Sequence, residues 1–298
     1  MINYQSCPGC GSAHIQQQLN VKDHTVSGEI FAVWQCHDCT LRFTQGIPGL
    51  TAIGAYYQSD NYISHTDTKE GIINRLYHAV RKKTLQSKLK LIKAVTGLQK
   101  GAIADIGAGT GAFLHTLQQA GWNIQGIEPD ATARQRAGEL YGLSLDGPDQ
   151  LSALATGHFD AVTMWHVLEH VHDLHGYIDT VKRIVKPGGK IIIAVPNYTS
   201  YDAKVYKEHW AAYDVPRHLY HFSPGAMEQL MEKHDLVLKD IRPMWYDSFY
   251  VSMLSEQYKT GRPGPVSAVF NGLISNISAI FNRRKCSSLI YIAAKKNV

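Results

Sequence analysis

The spacing of apolar residues divides the chain after residue 100 into alternating strands and helices. Short apolar runs, each long enough for one strand, are separated by segments in which apolar residues recur every three or four positions. Ile191 to Val195 is apolar at every position, as expected of a strand buried on both faces. This alternation predicts an α/β fold with a parallel sheet covered by helices on both sides. Strands are expected at 102–106, 123–128, 143–146, 160–165, 190–195, 236–242 and 288–294, and helices from about 111, from Pro129, at 174–185 and at 223–234.

Two other segments have helical spacing. From Ile72 to Val95 the apolar residues recur at helical intervals with charges opposite them, which predicts a helix leading into the sheet. Large apolar residues from Val266 to Phe281 also follow this spacing, while the other face carries Ser, Asn, Ala and Gly. Because membrane-surface helices normally carry Lys or Arg on the polar face, we expect helix 266–282 to pack on the domain or across a homodimer. Membrane contact is the alternative.

Four of the five cysteines form two pairs near the N-terminus. Two residues separate Cys7 from Cys10 and Cys36 from Cys39, and small or turn residues accompany each pair. This pattern predicts a zinc ribbon in which four thiolates close a tetrahedral site. Since every coordination position is then filled, we expect the Zn²⁺ to be structural rather than catalytic. Cys286 stands apart and is expected to be a small apolar residue.

These patterns divide the chain into three parts. Tyr56, Tyr57 and Tyr62 follow a loop rich in Gly and Pro, and they either cover a binding site or anchor the linker. The segment after the strand at 190–195 is long for a connection and dense in aromatic and ionisable residues, which favours a substrate lid. The predicted parts are a zinc ribbon at 1–45, a linker and helical lead-in at 46–100, and a domain at 101–298 with a lid insertion at about 197–222 and a helical insertion at about 245–284.

Composition limits the class of protein. With 298 residues, 44% of them apolar and 18% charged, the chain can bury a full core and is expected to be globular and soluble. It shows neither the apolar run of about 18 residues that a membrane span needs nor a signal peptide, so we expect a cytoplasmic location. The net charge is +5, and its basic residues occur in runs that are typical of exposed helix faces. Aromatic and basic residues do not alternate as they do in proteins that bind single-stranded nucleic acid. Both observations argue against a nucleic-acid partner.

A glycine-rich turn holds the most specific chemistry. Gly107, Gly109 and Gly111 follow a predicted strand and precede a helix, so the backbone there can approach a ligand closely. The spacing also fits a dinucleotide-binding turn, with Glu128 near the position of a ribose-binding acid. Asp105 favours a cationic ligand instead, because a carboxylate repels a pyrophosphate and attracts an ammonium or sulfonium group. Further acids stand at expected strand ends, at Asp130, Asp146, Asp149 and Asp160.

Four motifs follow one another in the predicted domain. They are Asp-Ile-Gly-Ala-Gly-Thr-Gly at 105–111, Gly-Ile-Glu-Pro-Asp at 126–130, the stretch from Phe159 to Val171, and Lys-Pro-Gly-Gly-Lys at 186–190. In this order they resemble the class I S-adenosylmethionine-dependent methyltransferases, among them the ubiquinone-pathway O-methyltransferases and the methyltransferase-23-like group. The N-terminal ribbon resembles that of sugar C-methyltransferases. The resemblance implies a Rossmann-like, doubly wound, mostly parallel seven-stranded sheet whose last strand is antiparallel.

The resemblance also implies S-adenosyl-L-methionine as the cofactor. Asp105 and the glycine turn are then expected to face the methionine part, Glu128 the ribose hydroxyls and Asp146 the adenine edge. The cofactor-binding residues that it implies are Asp105, Gly107, Ala108, Gly109, Gly111, Phe113, Glu128, Pro129, Asp146, Trp165 and His166.

Two groups of residues are candidates for the chemistry of methyl transfer, which requires two aligned partners and removal of a proton from the acceptor. In the first, His166, Glu169 and His170 stand at i, i+3 and i+4, on one face of a helical turn. They resemble the Glu-x-x-Glu-His arrangement of divalent-metal-dependent methyltransferases, with His166 in place of the first Glu. A histidine there disfavours magnesium, and both a metal site and a structural role stay open.

The second group lies in the predicted lid. His218 is the expected general base, because an unperturbed imidazole titrates near neutral pH. Asp214 or Tyr213 would orient it and Arg217 would hold an anionic group of the substrate. Sugar C-methyltransferases resemble this region, with a histidine followed by Phe-Ser, here His218 and Phe222-Ser223. A histidine that only fixes the loop is the alternative.

Taken together, the residues and the resemblance predict an S-adenosylmethionine-dependent methyltransferase that acts on an O or C atom of a small polar metabolite, such as a nucleotide-linked sugar. An RNA methyltransferase whose ribbon holds RNA and a non-catalytic binding protein with the same fold are the alternatives. The partners expected are a small-molecule substrate and a second copy in a homodimer. The catalytic candidates are His218, His166, Glu169, Asp214 and Tyr213, and the metal ligands are Cys7, Cys10, Cys36 and Cys39.

Overall fold

The computed structural model of the protein describes residues 1–58, 72–262 and 264–296, so that Tyr62 and the rest of the predicted linker at 59–71 lie outside the described residues. The strands are β1 (Ile15–Lys22), β2 (Ile30–Cys36), β3 (Arg42–Thr44), β4 (Ala102–Ile106), β5 (Asn123–Ile127), β6 (Phe159–Trp165), β7 (Val185–Pro196), β8 (Tyr220–His221), β9 (Leu236–Pro243) and β10 (Ser288–Lys295). The α-helices are α1 (Ile72–Thr96), α2 (Ala112–Gln119), α3 (Ala131–Tyr141), α4 (Leu174–Ile184), α5 (Tyr201–Tyr206), α6 (Pro224–Lys233), α7 (Asp247–Thr260) and α8 (Pro265–Phe281). Short 3-10 helices lie at Ile53–Tyr57, Pro148–Ala153, Lys207–His209, Ala211–Tyr213 and Arg283–Lys285.

The chain forms two compact units. The first consists of Met1–Ser64, His166–Tyr177 and Ile193–Tyr291, and the second of His65–Trp165, Ile178–Ile192 and Ile292–Val298. Each unit is therefore assembled from segments that are distant in the sequence. The division into ribbon, lead-in and domain at residues 45 and 100 stays a prediction.

The larger sheet confirms the predicted Rossmann-like α/β fold. Its strand order is β5-β4-β6-β7-β10-β9, and β4 pairs in parallel with both β5 and β6. The prediction of seven strands is wrong for the described residues, which contribute six to this sheet. The segment 143–146 makes only an isolated bridge between Asp146 and Ile127. It is too short for a ladder, because Gly142 ends α3 before it and Pro148 begins a 3-10 helix after it.

Capping residues determine where the helices next to the candidate site begin and end. The Asp130 side chain accepts a hydrogen bond from the N–H of Thr132 and caps α3, and Gly142 ends that helix with a φ of 65°. Ser223 caps α6 by accepting from the N–H of Ala226. The turns after β5 and before α6 are therefore fixed by local chemistry.

A smaller antiparallel sheet in the first unit has the order β1-β2-β3-β8. Its fourth strand comes from the segment predicted to be a lid, since Arg42 pairs with His221 and Phe43 with Tyr220. The aromatic residues of that segment belong to the core of the unit, where Trp210 and Tyr213 are 1% and 2% exposed. The segment is thus a buried structural part of the first unit and not an exposed lid.

Two helices, α7 and α8, lie in the segment at about 245–284 that is predicted to be a helical insertion. Helix α8 spans the residues expected of it, but its large apolar side chains are exposed. The helix itself packs on the first unit through Ala268, Gly272, Ser275 and Ala279, and packing of its large apolar face across a homodimer stays a prediction. Within the described residues, no helix is both long and apolar enough to cross a membrane.

Candidate functional site

The glycine-rich turn between β4 and α2 has the backbone conformation that its sequence predicts. Gly107, Gly109 and Gly111 have φ values of 73°, 54° and 78°, in the left-handed region that favours glycine. The N–H groups of Gly107 and Ala108 donate to the carbonyl oxygen of Ile127 at 2.7 and 3.0 Å, which fixes the turn against β5. A Cβ at Gly109 would meet no atom within 4 Å, so the turn faces open space that a ligand can enter.

Glu128, the residue after β5, is held beside this turn. Its Oε2 accepts a hydrogen bond from the N–H of Gly109 at 2.7 Å, and its Oε1 accepts one from the N–H of Asp130 at 2.9 Å. The residue is buried, and burial raises the pKa of its carboxyl although both bonds act to lower it. Each carboxylate oxygen keeps a second lone pair. Glu128 can therefore accept two further hydrogen bonds, as the two hydroxyls of a ribose require.

Asp105 in β4 is a buried carboxyl that lacks full compensation. It is 2% exposed and accepts a hydrogen bond from the Thr163 hydroxyl at 2.5 Å. Burial raises the pKa of Asp105 to about 6, while this bond and the charge of Lys88 act in the opposite direction. A further cation nearby would stabilise the ionised form. Asp105 thus favours a positively charged ligand.

Two aromatic rings in the same unit already hold a cation. Phe113 of α2 and Trp165 of β6 pack edge to face with their centroids 5.7 Å apart. The Nζ of Lys88 in α1 lies 4.0 Å from the Trp165 centroid and 5.6 Å from that of Phe113. Ring faces attract cations, and here the cation is the Lys88 ammonium. Sequence reasoning missed Lys88 because it is one of many basic residues on its helix.

Of the remaining cofactor candidates, Asp146 is held in place by contacts with β5. Asp146 pairs with Ile127 through the isolated bridge, and its Oδ2 accepts a hydrogen bond from Nε2 of Gln125 at 2.8 Å. Pro129 directly follows Glu128 in the turn to α3. Asp146 therefore lies next to β5, the strand that Glu128 directly follows.

Asp160 is an exception among the acids expected at ligand-binding strand ends. It stands near the start of β6, where its carboxylate accepts hydrogen bonds from Nζ of Lys186 at 2.7 Å and from the N–H of Ala102 at 2.8 Å. The glycine turn follows the other end of the adjacent parallel strand β4. The prediction that Asp160 lies with the acids of the cofactor site is therefore wrong, because it belongs to a salt bridge at the opposite edge.

His166 is held as a cation between two carboxylates of the first unit. Its Nδ1 donates to Oε1 of Glu169 at 3.2 Å and its Nε2 donates to Oδ2 of Asp247 at 3.0 Å. Burial alone would lower the pKa of His166, but the two carboxylates raise it to about 10. An imidazolium with both N–H groups engaged cannot accept a proton. Its single positive charge is already offset by these two carboxylates.

Asp247 is the partner that the sequence did not reveal. It begins α7, 81 positions after His166. An aspartate at the start of a helix is an ordinary capping residue, so nothing in the local pattern marks it.

Glu169, His170 and His218 form a cluster that joins the two candidate groups. One ligand atom from each lies within 4.8 Å of the others. The rings of His170 and His218 meet edge to face at 4.5 Å. Within the part of the chain that the structure describes, Oε2 of Glu169 is buried and has no hydrogen-bond partner. A carboxylate and two imidazoles can accept protons or bind a divalent cation.

Backbone carbonyl groups set the orientation of both histidines. Nδ1 of His170 lies 3.1 Å from the carbonyl oxygen of Arg217 and 3.0 Å from the Tyr57 hydroxyl, and Nδ1 of His218 lies 2.9 Å from the carbonyl oxygen of Ala212. A carbonyl oxygen only accepts, so Nδ1 carries the proton and Nε2 presents a lone pair. Burial and the neighbouring His218 lower the pKa of His170 to about 4, which keeps that ring neutral. Tyr57 thus anchors the chain to this cluster.

Of the two residues expected to orient His218, Asp214 lies beside its ring, but Nε2 carries no proton that the carboxylate could accept. Its Oδ2 lies 4.0 Å from Nε2 of His218. The Tyr213 hydroxyl instead accepts a hydrogen bond from Nη1 of Arg42 at 2.6 Å. Tyr213 therefore supports the core of the unit, with its hydroxyl directed to Arg42.

Arg217 is buried and paired within its own unit. It is 0% exposed, and its guanidinium donates to Asp214 at 2.6 Å, to Asp23 at 2.9 Å and to the carbonyl oxygen of Tyr56 at 2.8 Å. Burial would raise the pKa of Asp23, but Arg217 and backbone N–H groups lower it to about 2. The prediction that Arg217 holds an anionic group of the substrate is wrong, because the guanidinium is out of reach of solvent.

We expect Arg217→Met to destabilise the protein by about 3–5 kcal/mol, because it leaves the buried Asp23 carboxylate without its counter-ion. Chemical denaturation of both proteins would measure the difference in the free energy of unfolding. Arg242→Met is the matched control, since Arg242 pairs with Asp240 at 2.7 Å on the surface with 40% of its side chain exposed. Its expected cost is below about 1 kcal/mol. Equal costs for the two variants would contradict a structural role for the buried pair.

The four paired cysteines converge in the first unit. The Sγ atoms of Cys7 and Cys39 are 3.5 Å apart, those of Cys10 and Cys36 are 3.6 Å apart, and all four lie within 4.8 Å of one another. Sulfurs around a tetrahedral Zn²⁺ lie about 3.8 Å apart, given Zn–S bonds of about 2.3 Å. Hydrogen bonds from the Cys39 thiol and nearby N–H groups hold the pKa of Cys7 well below its usual range, which favours the thiolate that binds metal. The residues therefore fit a zinc ion.

Comparison with known sequences gives a family and several relatives. Residues 77–240 match the family model described as a methyltransferase domain. The ubiquinone biosynthesis O-methyltransferase of Xanthomonas oryzae pv. oryzae is 27% identical over 174 residues, which cover 54% of this chain and 72% of that protein. The protein of the same name from Cupriavidus pinatubonensis is 25% identical over 194 residues, 60% of this chain and 76% of that protein.

Comparison with solved structures shows the same fold at low identity. Magnesium protoporphyrin IX methyltransferase from Synechocystis, solved with bound S-adenosylhomocysteine, superposes with a TM-score of 0.52 and 16% identity over 82% of this chain and 99% of that one. The 1,6-didemethyltoxoflavin-N1-methyltransferase of Burkholderia thailandensis gives a TM-score of 0.51 and 13% identity over 93% and 100%. At these identities the likeness concerns the fold.

Proposed function

The chain belongs to the S-adenosylmethionine-dependent methyltransferases, whose domain it matches over residues 77–240, and we propose that it methylates an oxygen or carbon atom of a small polar metabolite. A nucleotide-linked sugar is the acceptor that we favour. The observation that carries the proposal is the cluster of Glu169, His170 and His218, a carboxylate and two imidazoles whose ligand atoms lie within 4.8 Å of one another. A methyl acceptor that must lose a proton, such as a hydroxyl group, requires such a group.

We assign the parts of the cofactor to residues of the second unit. Glu128 would accept hydrogen bonds from the ribose hydroxyls, and Asp146 would meet the adenine edge. Asp105 would offset positive charge on the methionine part, next to Phe113 and Trp165. When bound, the cofactor supplies a methyl group already activated by its sulfonium. The protein then has to align the acceptor and take up its proton.

Binding of the cofactor tests this assignment directly. We expect S-adenosylmethionine to bind the wild type in calorimetry and Glu128→Ala to weaken binding by at least about 100-fold, because two charge-assisted hydrogen bonds are lost. Glu139→Ala is the matched control, since Glu139 is an exposed glutamate on α3 bonded to Gln135. A wild-type protein that bound NAD but not S-adenosylmethionine would overturn the proposal.

We assign the acceptor chemistry to residues of the first unit. His218 is the general base, through the lone pair on its Nε2. His166, held between the carboxylates of Glu169 and Asp247, would lie beside the acceptor. The alternative for Glu169, His170 and His218 is a divalent cation that activates the acceptor oxygen. Two imidazoles and one carboxylate favour manganese, iron or zinc over magnesium in that case.

The four cysteines would hold a structural Zn²⁺ that stabilises the ribbon. A site built from four thiolates requires reduced cysteines, and on this ground we propose a cytoplasmic location. If the acceptor were RNA instead, binding of RNA would fall steeply with added salt.

A further inference from the structure

Helix α8 is oriented with its small residues toward the protein and its large apolar residues toward solvent. The buried positions are Ala268, Gly272, Ser275 and Ala279. The exposed fractions of the large side chains reach 60% for Phe270, 69% for Ile280 and 87% for Phe281. The other exposed apolar side chains of this face are Val266, Val269, Leu273 and Ile277. A helix face with seven exposed large apolar side chains normally marks a binding surface.

Specific contacts fix this orientation. A Cβ on Gly272 would come within 2.8 Å of the Phe249 ring on α7, so the two helices approach at that point as closely as a glycine permits. The Ser275 hydroxyl donates to Asp202 at 2.7 Å, and Asn271 donates to the Tyr206 hydroxyl at 3.0 Å. Rotating α8 to bury its large residues would break these bonds and place bulky side chains against α7. The apolar face is therefore a stable feature of the surface.

Basic residues flank α8 in the sequence, while α8 itself carries no charge. Lys259 and Arg262 precede the helix, and Arg283, Arg284 and Lys285 follow it. Of these, Arg284 is paired with Glu228. Burial lowers the pKa of Lys285, and the nearby charge of Lys204 acts in the same direction. An anionic partner would supply a counter-charge at this end.

We propose that α8 lies flat on an anionic lipid surface, with its apolar face in the acyl boundary and the basic residues at its ends against the headgroups. The helix has 17 residues and is about 25 Å long. An isolated interfacial helix turns its polar side to water, whereas the corresponding side of α8 is buried in the protein. Lysine and arginine near such a surface attract anionic lipids. The proposal does not depend on the identity of the methyl acceptor.

Charge also argues against a second copy as the occupant. In a two-fold dimer the same patch faces itself. Pairing along α8 would then bring the basic ends of one copy next to the basic ends of the other, whichever way the helices ran. An anionic membrane has no such repulsion.

Vesicle flotation tests the proposal with the full chain. Wild type should float with vesicles of phosphatidylcholine and phosphatidylglycerol, less with phosphatidylcholine alone, and less in high salt. Phe270→Asp/Phe281→Asp should weaken binding by about tenfold or more for each ring removed from the lipid. Leu140→Asp is the matched control, since Leu140 is also exposed, at 51%, but lies on α3. Circular dichroism and binding of S-adenosylmethionine, unchanged in both variants, would show that folding and the cofactor site are intact.

Two results would overturn the proposal. One is a wild type that does not float with anionic vesicles. The other is a stable dimer in sedimentation that Phe270→Asp/Phe281→Asp dissociates, which would identify a second copy as the occupant of this face.

Discussion

Cys36→Ser is expected to abolish stoichiometric zinc binding and to lower the melting temperature sharply. Cys36 is fully buried, and its Sγ lies 3.6 Å from that of Cys10 in a cluster of four sulfurs. A serine oxygen is a poor fourth ligand for a site otherwise built from thiolates. Structural zinc sites contribute about 10 kcal/mol or more of apparent binding free energy at neutral pH, and this is folding free energy for the segment that holds the metal. Metal analysis and thermal melting would measure the two effects.

The fifth cysteine supplies the control for this experiment. Cys286 is also fully buried, but its Sγ lies 3.6 Å from the carbonyl oxygen of Met244 and outside the cluster. Cys286→Ser should therefore keep a full complement of zinc. A wild-type protein without zinc, or a Cys36→Ser variant that retained it, would contradict the metal site.

His218→Ala is expected to lower kcat by about 10²- to 10⁴-fold, the usual contribution of a general base. The affinity for S-adenosylmethionine should not change, because His218 is not among the residues assigned to the cofactor. The readout is release of S-adenosylhomocysteine with a panel of nucleotide-linked sugars as acceptors.

His172→Ala is the matched control, since the ring of His172 is hydrogen-bonded to the carbonyl oxygen of Pro48 at 3.0 Å and lies outside the cluster. Equal losses of kcat in both variants would point to a structural effect instead. Recovery of activity on adding manganese to chelator-treated wild type, but not to His218→Ala, would favour the divalent cation over the general base.

The part of the site that follows from local sequence could be predicted. The glycine turn, Glu128 and the paired cysteines each depend on residues close together in the chain, where spacing determines geometry. The structure places Gly109 and Glu128 in hydrogen-bond contact and brings the four sulfurs together. The alternation of strands and helices is local in the same sense, and it gave the α/β fold.

The contacts that link distant segments could not be predicted. Asp247 meets His166 across 81 positions, and Asp23 meets Arg217 across 194 positions. No periodicity connects such pairs. For the same reason Arg217 looked like a ligand for a substrate anion, because a sequence shows that an arginine is present but not whether a carboxylate already neutralises it.

Composition also led to wrong expectations about which residues are exposed and which are buried. The aromatic residues of the segment at about 197–222 suggested a lid, since aromatic residues in a long connection often contact ligands, yet Trp210 and Tyr213 belong to the core. The apolar positions of α8 suggested packing on the domain, yet Gly272 and Ser275 face inward. A pattern identifies a helix and its two faces, but only the neighbouring elements decide which face is covered.

The pairing of β3 with β8 has a consequence for how this protein can change over evolution. The Thr44 hydroxyl donates to the carbonyl oxygen of His218 at 2.7 Å, so the histidine loop is supported by the last strand of the metal-binding segment. The N-terminal segment is thus not an interchangeable module. A ribbon acquired from another protein would bring its own metal ligands but not the strand edge and hydroxyl that position His218, so the two segments have to be inherited and altered together.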